Sequence, residues 1–95
     1  MAAYVIVDIE VTDPARIEEY RQRVPATIAA YGGRFLVRGG PHEVVEGSWH
    51  PRRLVVLEFP SLAQARRWYD SEEYRKPKAM RLGASRANLV FVDGV

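Results

Sequence analysis

The chain has 95 residues, 47% of them hydrophobic and 27% charged, with a formal net charge of +2; this is the balance of one compact domain over residues 1–95 with a modest core. Its lack of cysteine excludes thiol nucleophiles, disulfide frameworks and thiolate metal sites together. The opening MAAYVIVDIEV has acids within its apolar run and no basic region ahead of it, so it reads as neither a signal peptide nor a membrane span, and the expected location is cytoplasmic.

AYVIVDIEV, Ala3 to Val11, is β-branched and almost continuously apolar, as a central strand is. Asp13-Pro14 follows as N-cap and first helical residue, and Ile17, Tyr20, Val24, Ile28 and Tyr31 form one stripe at three- and four-residue spacing, a helix that Gly32 ends. Pro25 lies inside it, where a missing N–H and a crowded carbonyl four residues earlier predict a kink. RFLVR, Arg34 to Arg38, is a second strand and RLVVLEF, Arg53 to Phe59, a third, with HEVVEG between them expected to extend the hairpin. Gly32-Gly33 and Gly39-Gly40 serve as a helix stop and a strand bend; neither fits a phosphate loop, because no helix follows and no GxGxxG or GxxxxGK[ST] spacing is present. Ser61 with Gln64 opens a helix carrying Leu62, Ala65, Trp68 and Tyr69, and Ser71 opens a further turn that Pro77 should interrupt and Gly83 stop. ANLVFV, Ala87 to Val92, is the last strand.

The order βαββαβ gives an α+β, ferredoxin-like antiparallel sheet with its helices on one face. Alternation puts Val5, Val7 and Ile9 toward the helices and Tyr4, Ile6, Asp8, Leu36, Arg38, Leu54, Val56, Glu58, Val90 and Val92 on the bare face. So apolar a face should be covered by a second copy, giving a homodimer. Asp8, Arg38 and Glu58 would then lie together inside the resulting barrel, paired with one another, with water or with a ligand.

The strings YGGRFLVRGG, EGSW, RRLVVLEFPS and AQARRWYDSEEY, followed by Arg81, resemble the family known as domain of unknown function 1330, of the dimeric ferredoxin-like α/β-barrel superfamily. The resemblance runs over nearly the whole chain and implies the fold and the dimer, the dimeric α/β barrel. The matching positions are Arg38, Glu46, Trp49, Arg53, Glu58, Trp68, Tyr69, Tyr74 and Arg81, and no catalytic role comes with them. The wider superfamily includes cofactor-independent monooxygenases, lactone isomerases and haem-dependent enzymes, a likeness of fold and not of chemistry.

Glu58, at a strand end beside a helix start, is the candidate proton-transfer group. Asp8, Arg38, Trp49, Trp68, Tyr74 and Arg81 are the candidate ligand-binding residues, with Arg81 turned inward toward Trp68 and Tyr74 alongside Arg38. Each also has a structural role available: Arg–Glu pairing, aromatic packing, or, for Arg81, a cation at the end of its helix. His42 and His50 read as exposed loop residues without a metal partner at ligand spacing, and no cofactor or metal is expected. The basic segment from 61 to 86, seven Arg or Lys against three acids, reads as a solvated helix face. An RNA-recognition domain is disfavoured, since Leu54 and Val56 stand where base-stacking aromatics belong. The sequence thus points to a dimeric domain that binds a small anionic or aromatic metabolite in a cleft, with cofactor-independent catalysis as its enzymatic form. The alternative is a structural or protein-interaction module without a ligand.

Overall fold

The computed structural model describes all residues from 1 to 95. In chain order the elements are β1 (Ala3–Val11), α1 (Pro14–Ala30), β2 (Arg34–Arg38), β3 (Leu54–Phe59), α2 (Leu62–Tyr69), α3 (Glu72–Ala84) and β4 (Ser85–Asp93). They form one antiparallel four-stranded sheet of order β2-β3-β1-β4, with the three helices on one face. The molecule is about 17 Å through its thinnest dimension, the depth of a helix layer on a single sheet.

Local chemistry sets the boundaries. Asp13 accepts from the Arg16 N–H at 3.3 Å, Ser61 from Gln64 N–H at 3.1 Å and Ser71 from Tyr74 N–H at 3.1 Å, so each helix starts on a side-chain cap. Gly32 takes φ +76 just after α1, the left-handed turn a Cβ would resist. α3 runs unbroken through both Pro77 and Gly83, contrary to the expected interruption. Pro77 removes only a bond to the carbonyl of Glu73, an exposed first-turn residue whose carbonyl can turn to water.

The core lies between sheet and helices. Ala3, Val5, Val7 and Ile9 of β1, with Leu57 and Phe59 of β3, are buried against Ile17, Val24, Ile28, Ala65, Trp68, Tyr74 and Ala84. On the other face Ile6 stands opposite Val56 on one side and Val90 on the other, and Leu36, Val37, Val90 and Val92 are exposed. That face carries no helix.

Two departures from the sequence reading change which residues meet. HEVVEG forms no strand; residues 41–50 are exposed and without regular structure. In β2 the register slips: Phe35 pairs with Leu57, Val37 with Val56 and Arg38 with Val55, so Leu36 and Val37 together oppose one residue of β3. This bulge inverts the alternation beyond it. Arg38 therefore shares a face with Val55, Leu57 and the helices, not with the bare face on which strict alternation from Leu36 would put it.

Candidate functional site

Against the helix face lies a cleft of about 600 Å³ including its open mouth, with thirteen hydrophobic residues among the seventeen that line it. Val7, Ile9 and Val11 of β1, Val55 and Leu57 of β3 and Leu89 of β4 form one wall; Ile17, Val24 and Ile28 of α1 face them. Polar groups come from Tyr20, Tyr74, Arg21, Arg38, Arg53 and Arg81. No Asp, Glu or His is among the lining residues, so the cleft offers no carboxylate or imidazole to a metal or haem iron.

Tyr74 and Arg81 stand seven residues apart on α3, two turns along one inward stripe. Tyr74 is fully buried and Arg81 only 5% exposed. Arg81 Nε donates to Tyr74 Oη at 3.2 Å, and that oxygen lies 2.8 Å from Tyr20 Oη. No carboxylate pairs with Arg81. Burial works against its charge, and the neighbouring phenols of Tyr74, Tyr20 and Tyr69 more than offset this, leaving its pKa above the ordinary arginine value. Tyr20 is pushed well above the usual tyrosine range, first by burial and then by Tyr74, so it remains a neutral hydroxyl at physiological pH. Trp68 stacks on Tyr74 with ring centroids 4.2 Å apart and donates to Thr27 Oγ1 at 3.0 Å, and Thr27 in turn donates to the Val24 carbonyl at 2.8 Å. The aromatic floor is thereby fixed by a connected set of hydrogen bonds.

Arg38, Arg53 and Arg21 gather at the mouth. Pro25 has no N–H for the Arg21 carbonyl four residues back, and Arg38 Nη2 takes that free acceptor at 2.9 Å while its guanidinium lies 4.4 Å over the Phe35 ring. The proline that reads as a kink signal thus leaves α1 continuous and creates the seat for a cleft arginine. Arg53 precedes β3 and is fixed through its backbone, whose carbonyl accepts from Ile9 N–H at 3.0 Å. Its guanidinium packs against Gly39, where a Cβ would collide with it and where φ is +71. Burial, and then the charges of Arg21 and Arg38, lower the Arg53 pKa. No carboxylate pairs with Arg38 or Arg53.

Of the residues singled out from the sequence, Arg38, Trp68, Tyr74 and Arg81 line this one cleft. The other three lie elsewhere. Glu58, opposite Tyr4 on the bare face, is paired with Arg34 at 2.7 Å. Asp8 also faces away from the helices and binds the long loop, accepting from Trp49 Nε1 at 2.9 Å and from Arg52 N–H at 3.0 Å. Trp49 is exposed and stands outside the cleft. The expected cluster of Asp8, Arg38 and Glu58 does not form: Asp8 pairs with Leu54 and Glu58 with Tyr4, about 13 Å apart along the sheet, and the bulge turns Arg38 to the opposite face. Tyr20, Arg21 and Arg53 also line the cleft, and the sequence reading does not single them out as site residues. Arg53 is findable, since it continues the alternation of Val55, Leu57 and Phe59, and Tyr20 lies on the core stripe of α1.

A family model described as "Domain of unknown function (DUF1330)" matches residues 2–95. The chain belongs to the DUF1330 family. No protein of curated function is detectably similar to this DUF1330 member in sequence. Among solved structures, a protein of unknown function from Rhodopseudomonas palustris is similar with TM-score 0.81 at 14% identity, over 99% of this chain and 82% of that one. A dimeric ferredoxin-like protein of unknown function from Jannaschia sp. CCS1 gives TM-score 0.73 at 16% identity, over 99% of this chain and 100% of that one. SnoaB, a cofactor-independent oxygenase from Streptomyces nogalater, gives TM-score 0.64 at 15% identity, over 99% and 92%. At these identities the likeness is one of fold, and it makes this DUF1330 chain an α+β ferredoxin-like protein. No helix is long and apolar enough to cross a membrane.

Proposed function

We propose that this protein binds a small, largely apolar or aromatic organic anion in the cleft between the sheet and α1 and α3, as a homodimer joined through its bare sheet faces. The observation that carries the reading is Arg81, buried at the floor of an apolar cleft with a phenol and no carboxylate for a partner. The Nη atoms of Arg81 open on the cleft with no carboxylate beside them, where apolar walls strengthen their attraction for an anion, and Arg38 and Arg53 add further cations at the mouth. The aromatic floor and aliphatic walls suit the body of such a ligand. The exposed aliphatic residues of the bare face support the dimer, as does the dimeric Jannaschia protein of similar fold. SnoaB shows that this fold can carry an oxygenase needing no cofactor; the enzymatic form of our reading is a reaction of the bound anion under the same restriction.

A thermal-shift panel of aromatic and short-chain carboxylates and phenols tests the reading. A ligand at a hundredfold excess over its dissociation constant stabilises the native state by about 2.7 kcal/mol. Wild type should respond to at least one member of the panel, and Arg38→Ala and Arg81→Met should respond less. If no compound raises the melting temperature, the reading fails and an interaction module without a ligand takes its place.

A further inference from the structure

The floor of the cleft has more hydrogen-bond donors than acceptors. Tyr20 and Tyr74 share one hydrogen bond, 2.8 Å between their hydroxyls, and Tyr74 also accepts from Arg81 Nε. Two hydroxyl protons serve one mutual bond, and neither phenol has another protein acceptor. Whichever oxygen donates, one O–H hydrogen is left over, and both side chains line the cleft. Arg81 brings the hydrogens of its two Nη atoms; apart from a contact with Tyr20 these have no protein acceptor, yet no buried side-chain nitrogen or oxygen is left without a partner, so they reach open space. No Asp, Glu or His lines the cleft to accept a proton or to compete for these donors.

From this one-sided inventory we infer that the cleft holds a weakly acidic ligand, a phenol or enol, as its oxyanion, with the charged oxygen on the Arg81 Nη atoms and the spare Tyr20 or Tyr74 hydroxyl. The inference rests on the ligand-binding reading above and specifies the group at the floor. A single charged oxygen suits the place better than a carboxylate: Arg81 Nε is already committed to Tyr74, which blocks the Nε–Nη edge that carboxylates commonly take in a two-point contact. Fixed donors in an apolar enclosure act on such a charge more strongly than water does. Ionisation needs no co-reactant: the ligand O–H bond breaks, its electron pair stays on oxygen and the proton goes to water. Any second anionic group would be met by Arg38 and Arg53 at the mouth.

The test uses 4-nitrophenol, whose phenolate absorbs visible light, titrated with acid in the absence and presence of saturating protein, with binding followed separately by equilibrium dialysis. We expect the phenolate band to persist about one pH unit lower when bound, a tenfold preference for the ionised form. Because each single variant, Tyr20→Phe or Tyr74→Phe, retains one hydroxyl, both should keep most of the shift. The double variant should lose a large part of it, and Arg81→Met more; where Arg81→Met fails to fold, the double variant carries the test. Binding with an unchanged or raised pKa of the bound phenol overturns the inference and leaves the ligand-binding reading standing. Binding of benzoate without 4-nitrophenol has the same meaning. If nothing binds, both fall.

Discussion

Replacing Pro25 by Ala should make the protein more stable and a weaker anion binder. Relative to Ala, an interior proline costs a helix about 3 kcal/mol. It offsets about 0.4–1 of that by restricting the unfolded chain, and the bond that Arg38 makes to the freed Arg21 carbonyl, 2.9 Å long, offsets roughly 1 more. The balance favours Ala by about 1–2 kcal/mol, a higher urea midpoint with an unchanged slope. With its N–H restored, residue 25 would claim the Arg21 carbonyl, and Arg38 would lose its seat at the mouth. Affinity for an organic anion with a mouth-directed charge, measured by titration calorimetry, should fall about three- to tenfold, the effect of one weakened charge-assisted contact. Arg38→Ala in the Pro25→Ala background should then cost little more, because both changes act on one contact. Unchanged affinity in Pro25→Ala, or full additivity with Arg38→Ala, would refute the link between proline and cleft.

The two glycines after β2 should behave differently. At Gly39, with φ +71 and Arg53 where a Cβ would go, Ala should cost about 1–2 kcal/mol of stability in a urea melt and weaken anion binding by displacing Arg53; Gly40, with nothing within 4 Å, should tolerate Ala on both counts. Val56→Asp puts a charge opposite Ile6 on the bare face and should convert a dimer to monomer in light scattering, whereas a wild type that is already monomeric at micromolar concentration would exclude the proposed assembly. The raised Tyr20 pKa means that the folded state holds a proton the unfolded chain releases near the ordinary value of 10.0, so this contribution to stability is complete below that pH and is lost above it. The slope is about 1.4 kcal/mol per pH unit for one proton, and Tyr20→Phe should flatten the alkaline decline by that amount.

Much of the architecture is legible in the sequence because it depends on local patterns. The alternation in β1 and the stripe from Ile17 to Ile28 place the core, and the βαββαβ order places β1 between its neighbours. Trp68, Tyr74 and Arg81 stand out as candidates because large aromatics and an arginine recur on the inward side of two short helices. Arg38 lines the cleft, but strict alternation puts it on the wrong face: the bulge at Leu36 and Val37 is a pairing property of two strands, and nothing within RFLVR alone marks it. Pro25 shows the same limit. Its missing donor is evident from the sequence, but the side chain that takes up the orphaned carbonyl comes from a strand thirteen residues further on. Glu58 and Asp8 look like neighbours because strand alternation gives the face but not the distance along it. Pro77 reads as a break because propensity ignores position, and it stands near enough to the start of α3 for its missing bond to fall on an exposed residue.

The central claim, that the cleft is a receptor for an organic anion, is tested most directly by a crystal structure of the protein grown with the acid or phenol that gives the largest thermal shift. Density for the ligand is expected between the sheet and α1, with an anionic oxygen within hydrogen-bonding distance of the Arg81 guanidinium and its body against Trp68 and Tyr74. A cleft filled by the protein's own side chains, with the ligand bound only elsewhere, would contradict it.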